Sequence, residues 1–291
     1  MRIELVDNIS RKLLHAILPA IEQSEECRIA VAFVSVEGLS LLEPAFRGCL
    51  EKGGYVEFLV GLDLSVTDPH ALWTLHQMSQ SAPNMTYYCF SQLGPLAVYH
   101  PKLYIVKRSD VATIVVGSSN LTAGGLKENV EVNALIRAEP HEEVVSDTYA
   151  TYNALKFHPR RVEPDQEFLS LYEEMHSLRT RHEGAVEKDS HFRQLKSRFQ
   201  EKAASLRHPV PTTRDLFGWQ KLVFARLPEG QFSTRDIYQF EEEFRRYYPE
   251  NRHIRAKIRQ ILQQLRDLQM IKHVTRETWI REAEIHETGV G

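Results

Sequence analysis

Cysteines are scarce in this chain. Only three occur among 291 residues, Cys27, Cys49 and Cys89, and none belongs to a CxxC pair or to another paired spacing. Disulfide frameworks and zinc modules need such pairs, so the sequence predicts reduced thiols, a cytoplasmic protein and neither a disulfide framework nor a zinc site.

A surplus of positive charge is also absent. The formal net charge is −3 at pH 7, so any basic surface must be local and offset by acidic patches elsewhere. Long hydrophobic runs are missing too: residues 1–23 are too polar for a signal peptide, and no stretch approaches the roughly 20 apolar residues of a membrane span. We therefore expect no membrane association. The length of 291 residues is sufficient for two domains.

The most informative stretch is Tyr99–Asn133. It contains two short apolar runs, Leu103–Val106 and Val111–Val116, which are rich in β-branched residues and bounded by polar ones. Both features predict strands of a sheet. The sequence His100-Pro101-Lys102 opens the first strand, and Gly117-Ser118-Ser119-Asn120 forms a Gly-rich turn after the second.

These two motifs contain the chemical groups of a phosphate site. Alternation along a strand places His100 and Lys102 on one face, and the turn presents Ser118 and Asn120. A lysine ammonium binds phosphate as a point charge, while an amide and a hydroxyl donate hydrogen bonds to its oxygens. The imidazole remains as a nucleophile or a general acid/base.

The order HxK, GSxN and a downstream glutamate, Glu131, resembles the phospholipase D superfamily, and in particular its nuclease branch, in which GSSNLT followed by an N-x-E stretch is common. The resemblance implies that one histidine forms a covalent phosphohistidine, while a second protonates the leaving oxygen and then activates water. No metal or cofactor is required. By the same resemblance, His100 is the nucleophile or the acid, and Glu131 holds the other nitrogen of the imidazole. The residues that bind phosphate are Lys102, Ser118 and Asn120.

The chain departs from the family pattern at one position. The full motif has an aspartate five residues after the lysine, where this chain has Lys107, while Asp110 is nearby but out of register. The mechanism that the resemblance implies needs two histidines, yet the chain has a single HxK. We therefore expect a homodimer with one shared active site, held by an apolar surface near the motif strands and the turn Leu121–Leu126.

Strands and helices alternate over residues 1–160, which predicts an α/β domain. The resemblance implies a phospholipase D-like mixed sheet flanked by helices. Asp63, at the end of a strand, either approaches the site or caps a loop. The predicted helices are Ile9–Gln23, Glu37–Lys52, Asp68–Met78, Glu142–Leu155 and Gln166–Leu178, and the further strands are Arg28–Val34, Val56–Gly61, Met85–Phe90 and Val130–Ile136.

Residues 161–208 are predicted to be a helical linker. From residue 179 onward this stretch is highly polar and has few large apolar side chains, which is typical of a solvated helix. A spacer and a DNA-binding arm are the two interpretations of it. Pro209-Val210-Pro211 marks the start of a second domain, residues 209–291.

This second domain has the pattern of a winged helix-turn-helix, with three helices followed by a β-hairpin. Ser233 and Thr234 are expected to cap the second helix, whose aromatic residues Tyr238, Phe240 and Phe244 point inward. The other predicted elements are the helices Asp215–Leu227 and Arg252–Leu268 and the strands Met270–Thr275 and Thr278–Ile280, joined by a turn at Arg276-Glu277.

The third of these helices carries the strongest DNA-binding signal. Arginine reads guanine and glutamine reads adenine in the major groove, and both residue types fill its polar side. The pattern PxNRHIRxKIRQxLQxLRDL resembles the C-terminal winged-helix domain of DpnI-type, or dam-replacing, restriction enzymes, which implies binding of double-stranded DNA and, in some members, of N6-methyladenine. The candidate DNA-binding residues are Arg252, Arg255, Arg259, Gln260 and Gln263.

The leading hypothesis is a metal-independent DNA endonuclease of restriction type, in which the winged helix recognises the target. One alternative is a catalytically inactive DNA-binding regulator or sensor, and the complete set of site residues argues against it. The other is a phospholipase or other phosphodiesterase. The lack of a membrane segment and the DNA-reading domain argue against that alternative.

Overall fold

The computed structural model describes residues 1–91, 98–181, 190–207, 209–275 and 277–281. The chain folds into two units, and each unit consists of two separate segments of the chain. The first unit comprises Met1–Val145 and His158–Pro209, and the second comprises Ser146–Phe157 and Val210–Gly291.

A mixed sheet forms the centre of the first unit. Its strands are β1 (Arg2–Val6), β2 (Glu26–Val31), β3 (Tyr55–Gly61), β4 (Met85–Phe90), β5 (Lys102–Lys107), β6 (Ala112–Gly117), β7 (Asn133–Ala138) and β8 (Arg161–Val162). Their order is β1-β7-β6-β5-β2-β3-β4-β8, in which β2, β3 and β4 are parallel and the other neighbours are antiparallel. This confirms the predicted α/β class with a mixed sheet.

Helices flank this sheet, and their ends follow the local sequence. Ser35 begins the second helix by accepting a hydrogen bond from the Gly38 N–H at 3.0 Å, and Asp68 begins the third in the same way. Gly53, with φ +80°, ends the second helix in the left-handed conformation that favours glycine. The helices are α1 (Leu13–Glu22), α2 (Val36–Glu51), α3 (Pro69–Ser81), α4 (Glu143–Lys156), α5 (Gln166–Arg181) and α6 (Ser190–Ser205).

The predicted linker is where the structure differs most from the sequence-based expectation. Its described part contains α5 and α6, which belong to the first unit and contribute fully buried side chains to its core. Phe168 of α5 and Phe199 of α6 lie with their ring centroids 4.4 Å apart. The apolar residues are few but recur at helical spacing, so the low average hydrophobicity conceals a packed face. Residues 182–189 and 208 of the predicted linker lie outside the described residues.

The second unit contains a winged helix-turn-helix. Its elements are α7 (Gly218–Phe224), β9 (Gly230–Ser233), α8 (Thr234–Tyr238), α9 (Glu241–Tyr247), α10 (Ile254–Asp267), β10 (Lys272–Thr275) and β11 (Thr278–Arg281). Strands β10, β11 and β9 form an antiparallel sheet, of which β9 was not predicted. The predicted second helix is divided into α8 and α9, and Ser233 caps α8 in a reciprocal box with Asp236. Arg276 of the predicted turn lies outside the described residues.

Most of α4 also belongs to the second unit. Lys156 Nζ lies 2.6 Å from Asp215 Oδ1, and both side chains are only 6% exposed. The rings of Tyr149 and Phe217 stack at 4.6 Å, and the Asn153 amide donates to the Asp215 carbonyl. Burial alone would raise the pKa of Asp215, but the Lys156 charge and the hydrogen bonds hold it below its usual range. The second unit therefore requires residues that precede the predicted boundary at 209.

Candidate active site and nucleic-acid interface

Antiparallel pairing brings the two sequence motifs to one end of the sheet. In the register of β5 and β6, Leu103 lies opposite Val116, so Lys102 at the start of β5 faces Gly117 at the end of β6. His100 precedes β5 and Ser118 follows β6, so both residues lie at the same end of these two strands. A Cβ at Gly117 would lie 2.3 Å from the carbonyl oxygen of Val132, so only glycine allows this close approach.

His100 and Lys102 are in direct contact. The Lys102 Nζ atom lies 2.7 Å from Nδ1 and 3.0 Å from Nε2 of the imidazole. Partial burial, aided by the Lys102 charge, lowers the pKa of His100 below its ordinary value. Burial also lowers the pKa of Lys102, and the nearby Glu131 carboxylate opposes this effect. The lowered pKa favours the neutral form of the imidazole at neutral pH, and that form has a free electron pair on one ring nitrogen.

Ser118 and Glu131 form the second half of the site. The Ser118 hydroxyl donates to Oε2 of Glu131 and accepts a hydrogen bond from the Val132 N–H at 2.9 Å. Asn129 Nδ2 lies 3.4 Å from the other carboxylate oxygen. Between the described side chains of Glu131 and His100 there is no hydrogen bond, so the role of Glu131 as the partner of the imidazole stays a prediction. Glu131 also lies before β7, outside the strand that the sequence predicted for it.

Asn120 is held by a residue that the sequence motifs do not contain. Its Oδ1 accepts a hydrogen bond from the Phe33 N–H at 3.1 Å, so its amide NH₂ remains as the donor for a ligand. The Phe33 ring lies 5.4 Å from the imidazole of His100, edge to face. No sequence motif points to Phe33, because it lies in the apolar stretch RIAVAFV, where an aromatic residue is ordinarily part of the core.

Buried polar residues hold the two motif loops in place. Asn133, which is 1% exposed, donates to Ser119 Oγ at 2.9 Å and accepts from the Ser119 N–H at 3.2 Å. Asp63 accepts a hydrogen bond from the N–H of Tyr99, the residue before His100, at 2.7 Å. Asp63 therefore approaches the candidate site as well as capping a loop, because the loop that it caps is the one that carries His100.

Lys107, the position at which the chain departs from the family motif, lies far from this site. Lys107 is the last residue of β5 and Lys102 the first, so they are separated by about 17 Å along the strand. Lys107 Nζ lies 2.7 Å from Glu26 Oε2 on the neighbouring strand β2. Asp110 is occupied by Arg108, with Nη2 2.8 Å from Oδ2. Lys107 therefore has a structural contact at the end of the sheet opposite to His100.

Four of the five candidate DNA-binding residues lie on the polar side of α10. Arg255, Arg259 and Gln263 follow one another at helical spacing, and Gln260 lies beside them, away from the buried apolar stripe. Arg252, which the sequence placed at the start of this helix, precedes α10 in the structure, because α10 begins at Ile254. All five side chains are exposed. Nε of Arg255 donates to Glu241 at 2.7 Å, and Nη1 of Arg259 donates to the Tyr238 hydroxyl at 3.0 Å. Residues of α8 and α9 thus hold the two arginines on the surface of α10.

Among the described residues, no helix combines the length and the apolar character that crossing a membrane requires. In the same part of the chain, no group of three or more His, Cys, Asp and Glu side chains has the arrangement of a metal site.

The fold is similar to several solved structures at low sequence identity. NucT from Helicobacter pylori aligns at 15% identity over 53% of this chain and 94% of its own, with a TM-score of 0.42. Nuc from Salmonella typhimurium, a phospholipase D family member, aligns at 15% identity over 52% of this chain and 91% of its own, with a TM-score of 0.41. Phosphatidylserine synthase from Haemophilus influenzae aligns at 13% identity over 69% of this chain and 46% of its own, with a TM-score of 0.44.

Family models match both units of the chain. Residues 17–153 match the family described as "Cardiolipin synthase, PLD-like domain", and residues 218–280 match the "Dam-replacing HTH domain". No curated protein matches the chain significantly. The first match includes the HxK and GSxN motifs, and the second includes the basic third helix of the winged helix-turn-helix. The chain therefore combines a domain of the PLD-like family with a domain of the Dam-replacing HTH family.

Proposed function

We propose that this protein is a metal-independent DNA endonuclease of restriction type, in which the PLD-like domain cleaves and the winged helix selects the target. One observation carries the proposal. A histidine, a lysine, a serine and an asparagine meet at one end of β5 and β6, in the same chain as a recognition helix that exposes arginine and glutamine. The site supplies a nucleophile and phosphate donors, and the helix supplies contacts to bases and backbone.

The proposed reaction has two displacements at phosphorus. In the first, a neutral His100 forms an N–P bond while the bond to the leaving oxygen breaks, and a second, protonated imidazole gives that oxygen its proton. In the second, the now neutral imidazole takes a proton from water, the water oxygen attacks phosphorus and the N–P bond breaks. Lys102 and Asn120 donate to the phosphoryl oxygens as their negative charge increases, and Ser118 does so once its hydroxyl turns away from Glu131.

The second imidazole is proposed to come from another copy of the chain. The turn Leu121–Leu126, which was expected to supply apolar surface, does not do so because both leucines are fully buried. A different surface is available at the edge of the sheet. Leu5 and Val116 each pair with Ala134 in one row across β1, β7 and β6, and they are 74% and 48% exposed. Four other apolar side chains on or beside these strands are also exposed, namely Ile3, Ile9, Val130 and Val132.

Cleavage of plasmid DNA in excess EDTA tests the proposed function. Plasmids from methylase-proficient and methylase-deficient hosts serve as matched substrates. We expect cleavage that EDTA does not diminish, because the proposed nucleophile and phosphate donors all come from the protein, and a preference for methylated adenine in the plasmid pair. A strict requirement for magnesium contradicts the mechanism. Binding without cleavage supports the regulator, and hydrolysis of phospholipid vesicles without DNA cleavage supports the phospholipase.

The arginines of α10 are expected to carry DNA binding. Arg255→Ala combined with Arg259→Ala in the full chain is expected to weaken binding to duplex DNA on the order of a hundredfold, through lost phosphate and base contacts. The salt dependence of binding should fall at the same time. Electrophoretic mobility shift across a salt series measures both effects.

The control for this experiment is Arg214→Ala, an exposed arginine of the same unit outside α10. Unchanged affinity in the double variant means that DNA is bound elsewhere. The full chain is used because a fragment from residue 209 onward lacks Lys156 and would leave Asp215 buried without its partner.

A further inference from the structure

Phe33 lies between the two halves of the proposed site. It follows β2, where the Ala32 N–H donates to the Pro101 carbonyl at 3.0 Å and so joins this segment to the histidine loop. On the other side, the Leu121 N–H donates to the Phe33 carbonyl at 3.2 Å. The backbone of this segment therefore bridges the HxK loop and the GSSN turn.

The side chain and the N–H of Phe33 act on different site residues. The ring meets the His100 imidazole edge to face at 5.4 Å, and the Lys102 ammonium lies 5.9 Å from the ring centroid. An aromatic ring in this position excludes water from one side of the imidazole and limits its rotation. The backbone N–H, in contrast, fixes the Asn120 amide by donating to its Oδ1.

We infer that Phe33 is a positioning residue, whose ring sets the orientation and protonation of His100 and whose N–H turns the Asn120 amide donors toward the phosphate. The assignment of the phosphate as the ligand rests on the proposed function. The effect on His100 does not, because it is a property of the free protein. Phe33 itself takes no part in the bond changes at phosphorus.

NMR titration of the histidines in the full-length protein tests this inference without any substrate. The His100 signal is identified by its loss in His100→Asn. In the wild type we expect it to titrate below the ordinary value of about 6.5. Phe33→Ala lets water reach the imidazole, so the midpoint is expected to rise toward that value and to stay below it because the Lys102 charge remains. Phe33→Leu is expected to give a smaller rise, and Phe33→Tyr, which keeps the ring, is expected to give none.

Cleavage kinetics give the second readout. The neutral imidazole is the attacking form, so a higher pKa of His100 in Phe33→Ala moves the acidic limb of the pH–rate profile to higher pH. We expect kcat to fall on the order of tenfold from lost orientation, with KM nearly unchanged. Phe192→Leu, the same substitution at a half-buried position of α6 in the first unit, is the control and leaves both readouts unchanged.

Two results overturn the inference. One is a His100 midpoint that does not move in either Phe33→Ala or Phe33→Leu, with both variants folded as judged by thermal unfolding. The other is a rise in KM with an unchanged midpoint, which would make Phe33 a substrate contact. If the wild type cleaves no DNA, the proposed function fails, while the titration still decides the role of the ring.

The orientation of Asn120 has its own test. Asn120→Asp keeps the oxygen that accepts from the Phe33 N–H but replaces the amide donors by a second, negatively charged oxygen. We expect this variant to retain its fold, to show a higher His100 midpoint because the added negative charge favours the protonated imidazole, and to lose at least about a hundredfold in cleavage rate. Cleavage at the wild-type rate would show that the amide does not face the phosphate.

Discussion

His100→Ala is expected to abolish cleavage, with a loss of at least about 10⁴-fold, while DNA binding stays within a few-fold of the wild type. In the proposed mechanism the imidazole supplies the attacking nitrogen, and Lys102 does not replace it because an ammonium has no free electron pair. Binding is retained because the proposed DNA contacts lie on α10. Single-turnover cleavage and mobility shift on the same preparations measure the two effects.

The matched control is His70→Ala, which removes an imidazole that is exposed and lies outside both motifs. It is expected to cleave at the wild-type rate. A covalent protein–DNA intermediate, trapped by rapid denaturation at alkaline pH, where the N–P bond of a phosphohistidine is stable, should be present in the wild type and in His70→Ala, and missing in His100→Ala. If His100→Ala cuts at close to the wild-type rate, the nucleophile is another residue.

The second large effect is expected in a mixed dimer. A heterodimer of one wild-type and one His100→Ala subunit, isolated through two different affinity tags, is expected to be nearly inactive, because a shared site then holds one imidazole where the reaction needs two. Two independent sites would leave half of the activity. Analytical ultracentrifugation of the wild type should give about twice the chain mass of 33.7 kDa. A fully active monomer would refute the shared site.

The apolar row at the sheet edge provides a separate test of the dimer. Leu5→Lys places a charge among the exposed side chains of β1, β7 and β6, so it is expected to shift the protein to the monomer and to remove cleavage with it. Val274→Lys, at a residue that is 50% exposed in the second unit, is the control and leaves the dimer intact. A dimeric Leu5→Lys variant would place the interface on another surface.

Short-range patterns predicted the elements that carry the site. Strands β4, β5 and β6 and helices α1 to α3 lie within a few residues of the predicted ranges, because each has a periodic apolar pattern bounded by caps or turns. Strand β1 was missed since its partner β7 lies far along the chain, with Val6 opposite Asn133. Strand β8 has two residues and no periodicity to detect.

The residues of the candidate site that belong to a sequence motif could be predicted from the sequence. His100, Lys102, Ser118 and Asn120 have a fixed spacing that points to phosphate chemistry. The position of Glu131 against Ser118, and the contact of Phe33 with His100, depend on how separate segments pack, and no spacing in the sequence encodes this. The same reason explains the assignment of α4: its contacts with Asp215 and Phe217 are made across about 60 residues of chain.

That placement of α4 has a consequence for synthesis. During synthesis, Ser146–Phe157 emerges from the ribosome before the rest of the second unit. The next 52 residues belong to the first unit, so the segment has no partner from its own unit while they emerge. Until Asp215 and Phe217 follow, the Lys156 ammonium and the Tyr149 ring lack the partners that bury them. The second unit therefore folds only after both of its segments have emerged. On the proposed function, a chain interrupted before Asp215 would lack a complete DNA-binding unit.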